Sequence, residues 1–163
     1  MGHLVIRPAE PADATAIVAV LLPAIRDGQT LTTDPDMTEA EIQRYWMAPD
    51  KEVFVAEEGG AILGTYYVRP NQAGGGRHVC NGGYVTAAEA AGRGIARRMC
   101  EHSLQQARSR GYRAMQFNCV VSTNEPAVHL WQSLGFDIAG RLPGAFRHPQ
   151  HGFVDLLVMF QVL

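Results

Sequence analysis

Two glycines one residue apart, Gly92 and Gly94, stand between an apolar segment and a long run of helical periodicity, with Arg93, Arg97 and Arg98 beside them. A strand, a short loop and then a helix opening on small residues would present free backbone N–H groups and the positive end of a helix dipole, a setting that suits an anion. Gly92, Gly94 and Ala96 carry little or no side chain, so phosphate oxygens could approach the main chain closely. Six arginines (Arg93, Arg97, Arg98, Arg108, Arg110 and Arg113) crowd the same region, which points to a local anion site. A dinucleotide fingerprint would need glycine where Arg97 stands, and a P-loop would need Gly-Lys-Ser/Thr, which is absent. The sequence therefore suggests a phosphate-bearing ligand held in another kind of fold; a glycine-rich helix start without a ligand is the plainer alternative.

Other residues could move protons or orient a ligand. Glu57, Glu58, His78 and Asp155 are candidate bases, although each residue type is more often found in a surface or structural role. Asn81 opens one apolar strand and Asn118 lies within another, Met115 to Val120. Buried asparagines need partners, so these two either bond to backbone or face each other and orient a small substrate. His148 and His151 lie in a proline-containing loop without a third ligand at useful spacing, so no metal site is expected. Cys80, Cys100 and Cys119 are an odd set without metal-type spacing and read as buried small apolar residues in a reducing compartment.

The elements that must position these residues follow from local patterns. Leu4 to Ile6 form a short strand, and Ile17, Val20, Leu21 and Ile25 recur at helical spacing after Asp13, a suitable N-cap. Thr38 with Glu41 forms a capping-box pattern for a second helix ending near Met47. Val53 to Glu57 and Ile62 to Val68 make a hairpin, and a fourth strand covers roughly His78 to Thr86. A long helix runs from near Gly92 to Gly111, with Ile95, Met99, Cys100, Ser103, Leu104 and Ala107 on its inner stripe. A strand over Ala114 to Val121 is followed by a short helix burying Ala127, Leu130, Trp131 and Leu134. Phe136 starts another strand, and a loop from Pro143 to Gly152 precedes the last, Phe153 to Val162. The predicted order is β-α-α-β-β-β-α-β-α-β-β, a mixed α/β sheet with helices on its faces.

The 163 residues suit a single domain spanning 1–163. A net charge of -2 offers no overall basic field for nucleic acid or anionic lipid. No apolar run approaches the roughly 20 residues of a membrane span, so a cytoplasmic location is the default expectation.

Ala91-Gly92-Arg93-Gly94-Ile95-Ala96 resembles the acetyl-CoA motif of the GNAT N-acetyltransferase superfamily, Gln/Arg-x-x-Gly-x-Gly/Ala. Asn124-x-x-Ala-x-x-Leu-Trp-x-x-Leu-Gly-Phe136 resembles its second motif, and the element order extends the likeness over nearly the whole chain. The resemblance implies a GNAT-like acyl-CoA N-acyltransferase fold. Its mixed, mostly antiparallel sheet would be splayed between the fourth and fifth strands and flanked by about four helices. It implies acetyl-CoA as cosubstrate. Tyr84, Val85 and Thr86 would offer main-chain hydrogen bonds to the pantetheine arm, with the N–H of Tyr84 polarising the thioester carbonyl. Gly92, Arg93, Gly94, Ile95, Ala96 and Arg97 would cradle the pyrophosphate, while Asn124 and Trp131 would border the arm.

The chain departs from the family pattern at Ala91, where Gln or Arg is usual, at Ala88, where proline is common, and at Thr86, where valine is common. Trp131 stands where many members carry a tyrosine that protonates the departing thiolate, and an indole N–H is a very poor acid. Asn81, Asn118, Ser122-Thr123-Asn124 and Leu130-Trp131 resemble a branch that acetylates amino acids and proline analogues. The implied reaction is direct attack of a small-molecule amine in a ternary complex, with Asn81, Asn118 and Tyr84 at the reacting centre. The loops 28–36 and 143–152 would wall the acceptor. Acetylation of a protein or peptide amine and non-catalytic acyl-CoA binding are the alternatives. The last strand, if exposed, could pair across a homodimer.

Overall fold

The computed structural model describes residues 2–163. Seven strands form one sheet: β1 (Val5–Pro8), β2 (Glu52–Glu58), β3 (Ala61–Pro70), β4 (Val79–Thr86), β5 (Ala114–Val121), β6 (Asp137–His148) and β7 (Gly152–Val162). Four α-helices accompany them: α1 (Ala14–Asp27), α2 (Glu39–Trp46), α3 (Ile95–Ser109) and α4 (Glu125–Ser133). The sheet order is β1-β2-β3-β4-β5-β7-β6, antiparallel at every pairing except β4 with β5. This is the expected element order and the expected mixed sheet.

Local chemistry sets the helix ends. Thr38 caps α2, its hydroxyl accepting from the Glu41 N–H at 3.1 Å. Helix α3 buries the stripe read from the sequence, Ile95, Met99, Cys100, Ser103, Leu104 and Ala107, but begins three residues later than Gly92. Gly92 and Gly94 both sit at φ +78, a left-handed conformation that cannot continue a helix, so the turn precedes it. Helix α4 buries Val128 and Trp131, whereas Ala127, Leu130 and Leu134 are only partly covered. Ala127 and Leu130 face a cavity instead of core. The segment expected as a loop from Pro143 is the second half of β6, closed on β7 by a tight turn.

The two sheet faces separate cleanly. On β3, a Cβ at Gly64 would meet the Met99 side chain at 2.9 Å, so even-numbered residues there look toward α3. Thr65 looks the other way: it is buried, and its hydroxyl accepts from the Trp46 indole of α2 at 3.0 Å. Register carries this alternation across to β4, where Tyr84 opposes Tyr66, Gly83 opposes Tyr67 and Asn81 opposes Arg69. Tyr84 therefore points its ring at α3, bonding Ser103, while Asn81, Gly83 and Val85 look toward α1 and α2.

Candidate active site

Strands β4 and β5 pair only at Val79 with Ala114 and at Cys80 with Met115, then part. From Asn81 onward β4 has no strand neighbour on that side, so its edge amides are left open to a ligand. Strand β5 is bulged between Phe117 and Val120, which bends it away and turns Cys119 outward. A cavity of about 660 Å³ passes through the opening. Ala91, Ala96, Pro126, Ala127 and Trp131 line it on the α3–α4 side; Thr30, Thr33, Tyr45, Tyr67 and Arg69 line it on the α1–α2 side. Gly83 is required here, because a Cβ would come within 2.7 Å of the Tyr67 ring.

Asn81 and Asn118 both border this cavity but do not bond each other. The Asn81 amide donates to the Gln116 carbonyl at 3.0 Å, reaching across to β5. The Asn118 amide donates to the Asn71 side chain at 2.8 Å, and its oxygen accepts from Gln116 Nε2 at 2.9 Å. Val85, Thr86 and Asn124 line the same cavity. Trp131 is buried and packs its ring 5.1 Å from those of Tyr84 and Phe117.

The turn at the other end can hold a pyrophosphate. Among the described residues, the N–H groups of Gly92, Arg93 and Gly94 have no backbone partner. A Cβ at either glycine would meet no protein atom within 4 Å, so packing does not demand glycine; the left-handed backbone does, and the space above the helix start is clear. The neighbouring arginine side chains have partners within the protein. Arg93 pairs with Glu58 at 2.7 Å, Arg97 donates to Ser133 at 2.8 Å and Arg98 donates to the Leu4 carbonyl at 3.1 Å. Ile95 buries its side chain in the core and offers this end only its amide.

The model of the acetyltransferase (GNAT) family matches residues 22–136. The chain belongs to the GNAT acetyltransferase family. This makes it an acetyl-CoA-dependent N-acetyltransferase. The chain is 30% identical over 151 residues to the N-acetyltransferase aca1 of Schizosaccharomyces pombe, covering 82% of this chain and 72% of that protein. A GCN5-related N-acetyltransferase from Kribbella flavida superposes with a TM-score of 0.94 at 41% identity over 98% of both chains. A phosphinothricin acetyltransferase from Sinorhizobium meliloti, solved with acetyl-CoA, shares the fold at TM-score 0.86 and 21% identity, covering 98% of this chain and 88% of that one.

In this GNAT enzyme the acidic residues proposed as bases do not reach the cavity. Glu57 is held by Arg7 at 2.7 Å, and Glu58 by Arg93. Asp155 accepts from the Gly144 N–H and from Arg141, which together hold its carboxyl below the usual carboxylate range. His78 is exposed and lies outside the cavity wall. Each charge serves an ion pair or solvent. Among the described residues, no Asp, Glu, His or Lys lines the cavity, and no cluster could hold a metal ion. The remaining protic groups are weak acids. Burial pushes the Tyr67 phenol and the Cys119 thiol up.

Of the two loops expected to wall the acceptor, 28–36 contributes Thr30 to Thr33, while no residue of 143–152 lines the cavity; that segment is the β6–β7 hairpin end, whose Phe146 packs on Val121 of the cavity wall. Sequence reading missed Tyr67, Arg69, Tyr45 and Trp46 on this wall. Their only signal is parity: Tyr67 and Arg69 alternate onto the acceptor face of β3, a pattern visible once the register with Asn81 is known.

Proposed function

We propose that this enzyme transfers acetyl from acetyl-CoA to the amine of a small molecule, an amino acid or analogue, by direct attack in a ternary complex. The observation that carries this reading is the single cavity through the β4–β5 gap. It runs from Ala91 and Ala96, which flank the glycine turn, to an acceptor end walled by Tyr45, Tyr67, Thr33, Asn81 and Asn118. Bound acetyl-CoA supplies the acetyl group as a thioester. The N–H groups of the Gly92–Gly94 turn and of the first turn of α3 hold its pyrophosphate. Main-chain groups of Tyr84, Val85 and Thr86 hold the extended arm, and Asn124 bonds it from the entry of α4. The Tyr84 N–H, on the open edge of β4, would bond the thioester carbonyl and strengthen that hold as charge develops there. Trp131, buried against Tyr84 and Phe117 on the cavity wall, would border the arm.

Asn81 and Asn118 orient the amine. With no carboxylate or imidazole on the wall, the proton of the attacking amine leaves through water rather than to a side chain. Three free cysteines suit a reducing cytoplasm, and no described helix is long and apolar enough to cross a membrane. Thiol release from acetyl-CoA across a panel of free amino acids, their analogues, simple amines and short peptides tests the proposal. Turnover of free amino acids or analogues is expected. Turnover of peptides alone, or CoA binding without turnover of any amine, would overturn it.

A further inference from the structure

Among the described residues, Arg69 is the one side chain on the cavity wall that carries a full charge at neutral pH, and no carboxylate lines that wall beside it. It stands on β3, two residues from Tyr67 and directly opposite Asn81, so it faces the acceptor end. Its protein contacts are long. Nη1 lies 3.5 Å from Asp50 Oδ2 and Nε lies 3.5 Å from Asn81 Oδ1. The other ion-paired arginines, Arg7, Arg93, Arg110 and Arg141, reach their carboxylates at 2.7 to 2.8 Å. A guanidinium has five donors in a planar fork, and this one has no short partner. Thr33 makes a second, independent observation: the residue lines the same cavity, and its hydroxyl is buried just behind that wall without a hydrogen-bond partner. A buried polar group left unpaired is costly, so a polar ligand head there would relieve it.

We infer that Arg69 is the specificity-determining residue of the acceptor site: its guanidinium docks the carboxylate of an amino-acid substrate. Asn81 precedes Tyr84 by three residues, and a strand rises about 3.3 Å per residue, so Arg69 stands roughly 10 Å along the strand from the Tyr84 amide. The arginine arm and the short span from carboxylate to amine in an amino acid fill that distance together. The aromatic walls of Tyr45 and Tyr67 lower the local polarity and strengthen the pairing. Asp50, itself more than half exposed, competes weakly for the same guanidinium.

The inference rests on the small-molecule reading above, and the test separates the two. Each acceptor is assayed as the free acid and as its carboxamide, and the ratio of the two kcat/KM values is compared among variants. The wild-type enzyme should prefer the acid by about 30-fold, since a charged hydrogen-bonded pair is worth about 2 kcal/mol. Arg69→Met should bring the ratio to about one, mainly through KM for the acid, with CoA affinity by titration unchanged. Asp50→Asn should move the other way and lower KM for the acid, which keeps the inference testable if Arg69→Met does not fold. A ratio near one in the wild-type enzyme, or one that Arg69→Met leaves in place, would overturn the role of Arg69 while small-molecule acetylation stands. Turnover of peptides alone would overturn both.

Discussion

Asn81 of β4 donates its side-chain amide to the carbonyl of Gln116 on β5 at 3.0 Å, one residue beyond the last strand pairing between them. A side chain thus takes over as the backbone ladder stops, and it fixes the width at which the strands part. Asn81→Ala should lower stability by about 1 kcal/mol and kcat/KM by more than that loss explains. Thermal unfolding and steady-state kinetics on one preparation check this; an activity loss that tracks the unfolded fraction would show that the residue is structural only.

Gly94 caps α3 at φ +78. Gly94→Ala forces a residue with a Cβ into that conformation, at a cost of about 1 kcal/mol. If the turn relaxes, its amides are no longer aimed together. CoA affinity by calorimetric titration should weaken about tenfold, while KM for the amine changes little.

Trp131 packs on Tyr84 and Phe117, and among the described residues its indole N–H has no hydrogen-bond partner. Trp131→Phe should therefore cost about 1–2 kcal/mol of stability through lost packing yet leave kcat within a few-fold. A drop of about a hundredfold in kcat would instead mean that the indole N–H takes part in the reaction.

The bare wall has a consequence for pH dependence. In the proposed reading, with no carboxylate or imidazole among the described residues of the cavity wall, the acceptor reacts in its unprotonated form, so kcat/KM should rise with pH until the amine's own pKa is passed. Two acceptors of different amine pKa should give ascending limbs displaced by that difference. A limb fixed at one pH for both would reveal a titrating group on the protein.

Acid stability has a different source. Arg7 binds Asp13 at 2.8 Å and holds that carboxyl below its ordinary value. A carboxyl lowered in the folded state stabilises above its unfolded pKa and loses that contribution as pH falls through the folded one. Asp13→Asn should cost about 1 kcal/mol near pH 7 and progressively less below pH 4, as read by urea unfolding across pH.

The parts of the molecule that were legible in the sequence are those written in adjacent residues. The glycine turn, the Thr38 cap, the α3 stripe and the Asn124 to Phe136 segment all depend on neighbours within a few positions. The acceptor wall does not. Glu57 reads as a free base until Arg7, fifty positions away, is seen to claim it, and Glu58 is claimed by Arg93 in the same way. Arg69 carries no motif, and only the β3–β4 register puts it beside Asn81. The β5 bulge likewise leaves Cys119 open to the cavity, where strand alternation alone would have buried it.

The alternation on β4 sends Asn81, Gly83 and Val85 toward the acceptor and leaves Tyr84 turned into the core, with only its main chain at the gap. In the proposed division of labour, the donor is held largely by amides, which most side-chain substitutions other than to proline leave in place, while the acceptor is chosen by side chains. Acceptor preference can then drift one codon at a time at Tyr67, Arg69 or Asn118 while the grip on the donor is inherited intact.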